Sequence, residues 1–495
     1  MGCTRVNYPD DCWNLTTPPE LQAYGDISGL GVLISFLGSA WFAVILLIVK
    51  YFLVFDPKVN PFQREANHTN DENASNKDIG SKNINNKDNS DEENLQCSQL
   101  TSPETDWWRP NPIDVILLGY IRHPSWVRSV NKKFPSLESV LDESLLNVCD
   151  VQVITGIGVL ISGFISLSCG LSAYHWQMIV SLGWFSSVTH LAGLTILRNH
   201  LRAHSWKRNI RFGLMFILLV GLIVSLVPTG YFTWKNPDPN VNSVSSMVDP
   251  AVCYFDVRIA NHIRQARSCD KSRTLTCHDE NLGLTPAFQT MIISIILLAF
   301  GFFTRSTKIF KPLSSFTNIK LRRPLSHHYQ KFLVRLISFI EEKKQTDDQN
   351  SSALRKTNIL RILLLWPSLA LLVFFRLIAD FFSSMLVELY WLVVAMIWGT
   401  SGIADIRRNL ETGNRLRGGI LNEENQWTFG QILSVLLLVA PLFATVSLFF
   451  SKATSKKELE PRNGPSYDMN RSMGSTRDGT WNMCNRQGTS EVIWY

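Results

Sequence analysis

Hydrophobic residues in this chain are gathered into long uncharged blocks that are separated by polar segments. The longest block lies between Asp150 and Arg198, which enclose 47 residues without an Asp, Glu, Lys or Arg. A helix needs about 20 apolar residues to cross a bilayer core. This block therefore predicts two crossing helices that turn near the string Tyr174-His175-Trp176-Gln177.

Further blocks extend this pattern along the chain. They are too long for the core helices of a soluble protein, and they lack the alternation of barrel strands. The predicted fold class is all-α, a polytopic transmembrane helix bundle with eight spans. We expect these spans at 27–55, 150–234 (three), 282–304, 359–404 (two) and 427–450.

The block at 359–404 leaves a second span count open. Its first part holds only 14 uncharged residues, from Ile362 to Phe375, before Arg376 and Asp380. We favour two spans with a turn at Arg376–Asp380. The alternative is one crossing together with a re-entrant or interfacial piece, which would give seven spans.

Basic residues beside the blocks orient the chain in the membrane. The loop from Arg198 to Arg211 carries five basic residues and no acid, which favours the cytosolic side. Counting from this loop places the N-terminus in the lumen or outside the cell. Eight spans would put the C-terminal tail on that side too, whereas Lys452, Lys456 and Lys457 favour the cytosol.

The polar segments then fall into two groups. We expect 1–26 and the cysteine-containing loop 235–281 on the luminal side. We expect 56–106 to be a disordered, Asn-rich cytosolic segment, because it has too little apolar surface to offset chain entropy. The remaining segments are an interfacial, amphipathic stretch at 107–149, a basic cytosolic segment at 305–358, a connecting loop at 405–426 and a disordered tail at 451–495.

The formal net charge of +7 changes this picture only slightly. Basic residues sit mainly beside apolar blocks, which indicates contact with the lipid bilayer rather than with nucleic acid. The stretch 305–344 holds ten basic residues and two acids, and Phe332, Leu333, Leu336, Ile337 and Ile340 give it an amphipathic helix. That combination predicts binding to anionic lipid headgroups.

Six of the nine cysteines fall on the predicted luminal side, where disulfides form. Three bridges allow 15 pairings, and the sequence does not choose among them. Asn14 begins a glycosylation sequon, Asn14-Leu15-Thr16, on the same side. The disulfide candidates are Cys3, Cys12, Cys169, Cys253, Cys269 and Cys277.

Four polar residues inside or beside the spans are candidates for function. His190 lies within the third span, and bonding to Ser186 one turn earlier competes with a proton-linked or gating role. Glu388 is costly in hydrocarbon unless it pairs or is protonated, so we weigh pairing with Arg376 against a site for an ion, proton or ligand. Arg376 and Asp380, four residues apart, can also pair with each other.

Small residues repeat at every fourth position in the first half of the longest block. On a helix these positions form one stripe, and small side chains let a second helix approach closely. We therefore expect a packing seam, with a sliding or gating seam as the alternative. The stripe comprises Gly158, Ser162, Ser166 and Gly170.

The sequence offers little that indicates catalysis. Gly399-Thr400-Ser401-Gly402 matches a short serine hydrolase string, but no histidine follows His328 to serve as its base. Phosphate-binding and metal-binding motifs are absent from the sequence. We expect no catalytic residue, metal or cofactor, with a hydrolase at Ser401 as the remote exception.

Several strings together resemble a widespread group of uncharacterised fungal multi-pass membrane proteins. The resemblance covers roughly 107–234 and 380–450, and it implies an architecture without an activity. It is carried by Asp150–Gly156, Tyr174–Gln177, Trp184–His190, Val227–Gly230 and Trp427–Gln431.

Three classes of function fit these features. A receptor-like or sensory protein of the plasma membrane or another secretory-pathway membrane is favoured, with an unknown ligand or protein partner. A transporter or channel using Glu388 and His190 is the first alternative, and a membrane scaffold is the second. With eight spans we expect these two residues at different depths, whereas seven spans would bring them to similar depth.

Overall fold

The structure is a computed structural model of the 495-residue chain. Its described residues are 8–13, 23–59, 110–122, 137–196, 205–232, 234, 247–268, 282–309, 323–346, 363, 365–414 and 420–458. Within them the fold is all-α, and the element order contains no strand. The predicted fold class, a polytopic helix bundle, is confirmed.

Fourteen α-helices form the described part of the chain. Five of them are shorter than 13 residues and lie in connections, and the others are long. They are α1 (Asp10–Trp13), α2 (Gly25–Ser28), α3 (Leu30–Leu53), α4 (Pro112–Ile121), α5 (Leu137–Leu167), α6 (Ala173–Ile196), α7 (Ser205–Leu226), α8 (Val257–Ser268), α9 (Pro286–Ile309), α10 (Arg323–Thr346), α11 (Trp366–Ser383), α12 (Met385–Asn414), α13 (Ile420–Glu424) and α14 (Phe429–Glu458).

Eight of these helices are long and apolar enough to cross a membrane, among the residues described. Their apolar length explains why they form helices, since a helix satisfies its own backbone hydrogen bonds in lipid. They coincide with the predicted blocks to within about seven residues, with one exception. Helix α5 begins at Leu137 and not at 150, so the end of the stretch 107–149, predicted to be interfacial, belongs to this candidate span. The candidate spans are Gly25–Leu53, Leu137–Leu167, Ala173–Thr195, Asn209–Tyr231, Pro286–Ile309, Trp366–Ser383, Met385–Leu410 and Phe429–Ser451.

Contacts at the helix ends define two ends of the bundle. At the first, which we call the cap end, α3 and α14 both begin, because Gly31 N donates to Gln431 Oε1 at 3.1 Å. At the second, the base end, α3 finishes and α12 begins. There Asp114 accepts hydrogen bonds from both Tyr51 (2.9 Å) and Ser384 (2.8 Å).

Helix α6 is the centre of the bundle. It has the lowest hydropathy of the eight candidate spans, yet 94% of its span is buried inside the protein. Its polar side chains face neighbouring helices rather than lipid, which explains how a polar helix is accommodated. The largest side chains of this helix that are fully enclosed, at less than 2% exposure, are Trp176, Tyr174 and Phe185.

The predicted small-residue seam is not where helices meet. A Cβ added at Gly158 has nothing within 4 Å, whereas one added at Gly156 would lie 2.1 Å from Ser186 Oγ on α6. Ser162 is exposed. The seam of α5 lies instead on the face of Gly156, Leu160 and Gly163, because those positions lie against α6. Leu167, one turn further on, is also buried.

Two end members of the predicted stripe have different roles. Ser166 is half-buried and donates to the carbonyl of Ser162 in its own helix at 2.8 Å. Gly170 lies in the turn between α5 and α6 with φ of 76°, a conformation that glycine adopts without a Cβ penalty. Neither forms a close helix–helix approach, so the stripe prediction is corrected.

The chain divides into two compact units. The first, Met1–Phe449, holds the bundle. The second begins at Phe450, and its described part is the C-terminal portion of α14, up to Glu458. The Asn-rich insert at 64–106 and the tail from 459 lie outside the described residues.

Candidate functional site

A buried cluster at the cap end joins α6 to the connection between α12 and α14. Glu424, the last residue of α13, accepts a hydrogen bond from Tyr174 OH at 2.9 Å. Its second oxygen lies 3.0 Å from His175 Nε2, and both side chains of this pair have no solvent exposure. A carboxylate and an imidazole are thus held together away from water, which is costly unless both are partnered.

The other side of the imidazole is also bound. His175 Nδ1 lies 2.7 Å from Ser172 Oγ, and the ring of Tyr24 packs edge-on against it at 5.0 Å between centroids. Both ring nitrogens of His175 therefore have a polar partner within hydrogen-bond distance.

The environment of Glu424 favours its ionised form. Burial opposes ionisation, but the hydrogen bond and charge of His175 and the hydroxyls of Ser28 and Tyr174 together lower the pKa of Glu424 below its usual value. Glu424 therefore carries a negative charge at neutral pH.

Gln431, in the first turn of α14, ties this cluster to α3. Its amide nitrogen donates to the carbonyls of Glu424 (2.8 Å) and Gln426 (2.9 Å), and its oxygen accepts from Gly31. Arg407 on α12 adds a hydrogen bond to Asn425 at 2.8 Å. The segment from Glu424 to Gln431 is thereby fixed to three other parts of the bundle.

Residues 249–253, which we call the cap, lie over the start of α6. The α5–α6 turn pairs with a distant segment, since Ala173 N donates to Asp249 O (2.8 Å) and Ala251 N donates to Leu171 O (2.7 Å). That segment leads to Cys253, which forms a disulfide with Cys12 across 241 residues of sequence. The cap therefore sits directly above Ser172 and His175.

The disulfide fixes one of the open cysteine pairings. Cys12 and Cys253 were two of the six predicted luminal thiols, and their bridge agrees with a common side for 1–26 and 235–281. Cys169 is also disulfide-bonded. Cys3, Cys269 and Cys277 lie outside the described residues, as does the predicted sequon at Asn14.

A second buried cluster surrounds Glu388 at the base end. Glu388 is 4% exposed, and one of its oxygens contacts Lys308 Nζ, while Arg305 Nε lies 3.9 Å from the other. Arg305 is 1% exposed and also bonds Thr195 Oγ1 at 2.8 Å and the carbonyl of Glu388 at 3.0 Å. The site predicted for pairing with Arg376 is thus occupied by two cations of α9.

Arg305 and Lys308 lie inside α9 and not in the basic cytosolic segment that the sequence predicted for 305–358. The fifth span was expected to end at 304, whereas α9 continues to Ile309. Both turn inward because Glu388 offers an opposite charge in a low-dielectric setting. Arg376 is exposed on α11, and the Asp380 carbonyl accepts from Asn111 Nδ2 at 2.6 Å.

Asp114 is a second buried acidic residue at the base end and was not predicted. It is 3% exposed, and its carboxylate accepts from the backbone nitrogens of Met385 (3.0 Å) and Leu386 (3.2 Å), besides the two hydroxyls described above. A carboxylate at a helix start satisfies free N–H groups and complements the helix dipole. Asp114 therefore fixes where α12 begins.

His190 borders a small cavity. Its Nε2 atom is buried without a hydrogen-bond partner, and the predicted partner Ser186 donates instead to the carbonyl of Gln152. The cavity offers about 20 Å³ to the centre of a water molecule, and one water needs about 10–15 Å³. Cys149 and the ion-paired Asp150 and Arg211 also line it.

His190 and Glu388 have separate surroundings. His190 faces the cavity between α5, α6 and α7, whereas Glu388 faces α9. Ser401, the residue of the hydrolase string, is exposed on α12 and donates to the carbonyl of Trp398 at 2.9 Å. No metal-binding group of three His, Cys, Asp or Glu occurs among the described residues.

Together these features define a multi-pass helical membrane protein with a disulfide-linked cap and buried polar clusters at both ends. Comparison with known proteins adds no assignment. No family model, curated protein or solved structure matches this chain.

Proposed function

We propose that this chain is a receptor-like or sensory membrane protein. In this proposal the cap end faces the lumen or the outside and receives a signal, and the base end faces the cytosol and reports it. The single observation that supports it most is the buried contact between His175 and Glu424. It connects the turn beneath the cap to the segment that joins α12 and α14.

Helix α12 is the element that can carry such a signal. Its C-terminal portion is tied to the cap end through Arg407, which bonds the carbonyl of Ser28 at 3.4 Å. Its first residues are held at the base end by Asp114 and the cations around Glu388. A shift of the cap cluster would move the C-terminal portion of α12. Because α12 is one continuous helix, this movement would change the contacts of its first residues at the base end.

Hydrogen–deuterium exchange of the full chain in lipid nanodiscs tests the proposal. Glu424→Gln removes the charge that holds Tyr174 and His175, so we expect faster exchange at the amides of Met385 and Leu386 at the opposite end. Glu423→Gln changes the exposed neighbour of Glu424 and should leave exchange unaltered. A change confined to the cap end would contradict the sensory role and favour a scaffold.

Tyr174→Phe gives a milder version of the same test. It removes one hydroxyl and keeps the imidazole contact, so the bundle should stay folded even if Glu424→Gln lowers yield. We expect a smaller exchange effect at the same base-end amides. Equal exchange in wild type and Tyr174→Phe, with a stable Glu424→Gln showing no base-end change, would exclude the relay.

The cavity at His190 favours one alternative, proton-linked transport. This alternative rests on a buried imidazole nitrogen without a hydrogen-bond partner, in a residue that lines a water-sized cavity beside Asp150 and Arg211. Proteoliposomes loaded with a pH-sensitive dye distinguish the two functions. Proton flux in wild type that is lost in His190→Gln would support transport, and dye traces equal to protein-free vesicles would support the receptor.

We further propose a plasma-membrane or secretory-pathway location and contact of 305–344 with anionic headgroups. Arg305 and Lys308 face Glu388, whereas Lys331 and Arg335 of the same stretch are exposed. Native mass spectrometry from mixed neutral and anionic nanodiscs should show preferential retention of anionic lipid.

The role we propose is not enzymatic, which is supported by the exposed position of Ser401.

A further inference from the structure

Contacts at the helix ends assign a direction to seven of the eight candidate spans. Helices α3, α6, α9 and α14 run from the cap end to the base end. Helices α5, α7 and α12 run the other way, as shown for α12 by Asp114 at its start and Arg407 near its finish. Seven of the eight described candidate spans thus alternate in direction along the chain, and α11 is the eighth.

The connection between α9 and α12 begins and ends at the base end. Lys308, in the last turn of α9, contacts Glu388 in the first turn of α12. Lys308 Nζ also donates to the carbonyl of Phe382, at the finish of α11, at 3.0 Å. A segment whose two ends lie on one side of a membrane crosses it an even number of times or not at all.

Among the described residues of this connection, α11 has no second helix that suits a return crossing. The other described helix of the connection, α10, carries the exposed charges Lys331 and Arg335 in its middle. Such charges in hydrocarbon are costly. One crossing by α11 alone would leave α12 starting at the wrong end of the bundle.

The contacts of α11 agree with a position at the base end. Asn111 Nδ2 donates to the carbonyl of Asp380 (2.6 Å) and to Ser383 Oγ (2.7 Å). Near its start, Tyr329 of α10 donates to the carbonyl of Ser368 at 2.7 Å. None of its residues is buried, although α14 is also largely exposed, so exposure alone does not decide.

The side chains of α11 suit the membrane surface. Arg376 and Asp380 lie four residues apart on one face, while exposed apolar side chains such as Trp366, Phe374 and Phe381 cover the other faces. Its neighbour α10 also exposes Phe332 and Val334 beside basic residues. An apolar face with a charged flank is what binds the headgroup region of a leaflet.

We infer that α11 lies in the plane of the membrane against the base-end leaflet, with α10 beside it, and that seven helices cross. The partner of this exposed surface is the lipid bilayer itself. The basic residues of α10 favour anionic headgroups, which attract cations at the membrane surface. This inference concerns the topology of the chain and does not depend on the sensory role.

Cysteine labelling of the full chain in sealed vesicles tests this placement. Trp366→Cys and Ser383→Cys mark the two ends of α11, and both positions are exposed. The controls Lys58→Cys and Asn422→Cys mark the base and cap ends at exposed positions. We expect a membrane-impermeant maleimide to label 366 and 383 from the side that labels 58. Labelling of 366 from the side that labels 422 would overturn the inference.

Depth measurement with spin labels gives an independent result if a maleimide fails to reach position 366. An in-plane helix places labels at 366, 374 and 383 at similar depths, about 5–10 Å into the leaflet. A crossing helix would place the label at 374 about 15 Å deep, near the bilayer centre. Dipolar broadening between labels of two copies would indicate a protein partner instead, and would contradict the lipid assignment.

Discussion

The cap end of the bundle is joined by a disulfide and by hydrogen bonds around one carboxylate, whereas the base end is joined by ion pairs. At the cap end, Cys12–Cys253 and Glu424 link segments hundreds of residues apart. At the base end, Lys50–Asp142 and Lys308–Glu388 link four helices. A reductant breaks the disulfide of the cap end, whereas removing one charge breaks an ion pair of the base end.

The ion pairs themselves differ in solvent exposure. The side chains of Arg211 and Asp150 are 25% and 42% exposed, whereas Glu388 is 4% exposed. Salt screens exposed pairs and leaves buried ones largely unaffected. We therefore expect salt to weaken the pair of Arg211 and Asp150 and to leave the pair of Lys308 and Glu388 largely intact.

The largest expected effect comes from Glu388→Ala. It leaves Arg305 and Lys308 without their carboxylate in a buried site, and breaking such a pair costs about 3–5 kcal/mol. Thermal unfolding in nanodiscs measures it. Arg376→Ala is the control, since Arg376 is exposed, and we expect a change within about 0.5 kcal/mol. Equal losses in the two variants would restore the pairing with Arg376 that the sequence suggested.

Removing the cap disulfide should come next. The paired change Cys12→Ser and Cys253→Ser frees a crosslink that spans 241 residues, and losses of about 2–4 kcal/mol are typical. We expect the loss to be the same at low and high salt. A loss that depends strongly on salt would mean that the cap is held by charge, and would remove the distinction between the ends.

The α5–α6 contact gives a smaller effect with a matched control. Gly156→Ala places a Cβ 2.1 Å from Ser186 Oγ, and overpacking costs about 1–3 kcal/mol. Gly158→Ala meets nothing within 4 Å and should be neutral or slightly stabilising, because alanine favours helix over glycine. The reverse order of stabilities would return the seam to the stripe of small residues.

The smallest effect concerns pH at the cap. The pKa of Glu424 is lower in the fold than its unfolded value, so its ionised form stabilises the protein at neutral pH. That contribution is fully present above the unfolded value of about 4.3 and is lost as pH falls through the lowered pKa. The difference in melting temperature between wild type and Glu424→Gln should therefore shrink below about pH 4. A difference that grows on acidification would contradict the assigned charge.

The sequence predicted the helices well, because their apolar length is a local property. It also predicted that Cys12 and Cys253 share a side. It did not predict that Arg305 turns inward to Glu388, since a basic residue at the end of a span usually faces headgroups. The face of α5 that packs was also missed, because small residues occur on two faces and only the partner helix decides between them.

The cap cluster was partly visible in the sequence. Tyr174 and His175 stand out as polar residues in an uncharged block, and Gln431 belongs to one of the strings that carry the resemblance. Glu424 gave no signal, since it lies in a polar loop beside the similar Glu423. Which of two adjacent acids is buried depends on the tertiary fold alone.

We infer that the cap and base ends lie on opposite sides of the membrane and that seven helices cross it. The most direct test places one reporter before Asp10 and another directly after Glu458, and treats sealed vesicles with protease. We expect protease added outside the vesicles to cleave one reporter and to leave the other intact, because an odd number of crossings separates them. Cleavage of both reporters, or of neither until the vesicles are opened, would show an even number of crossings and overturn the inference.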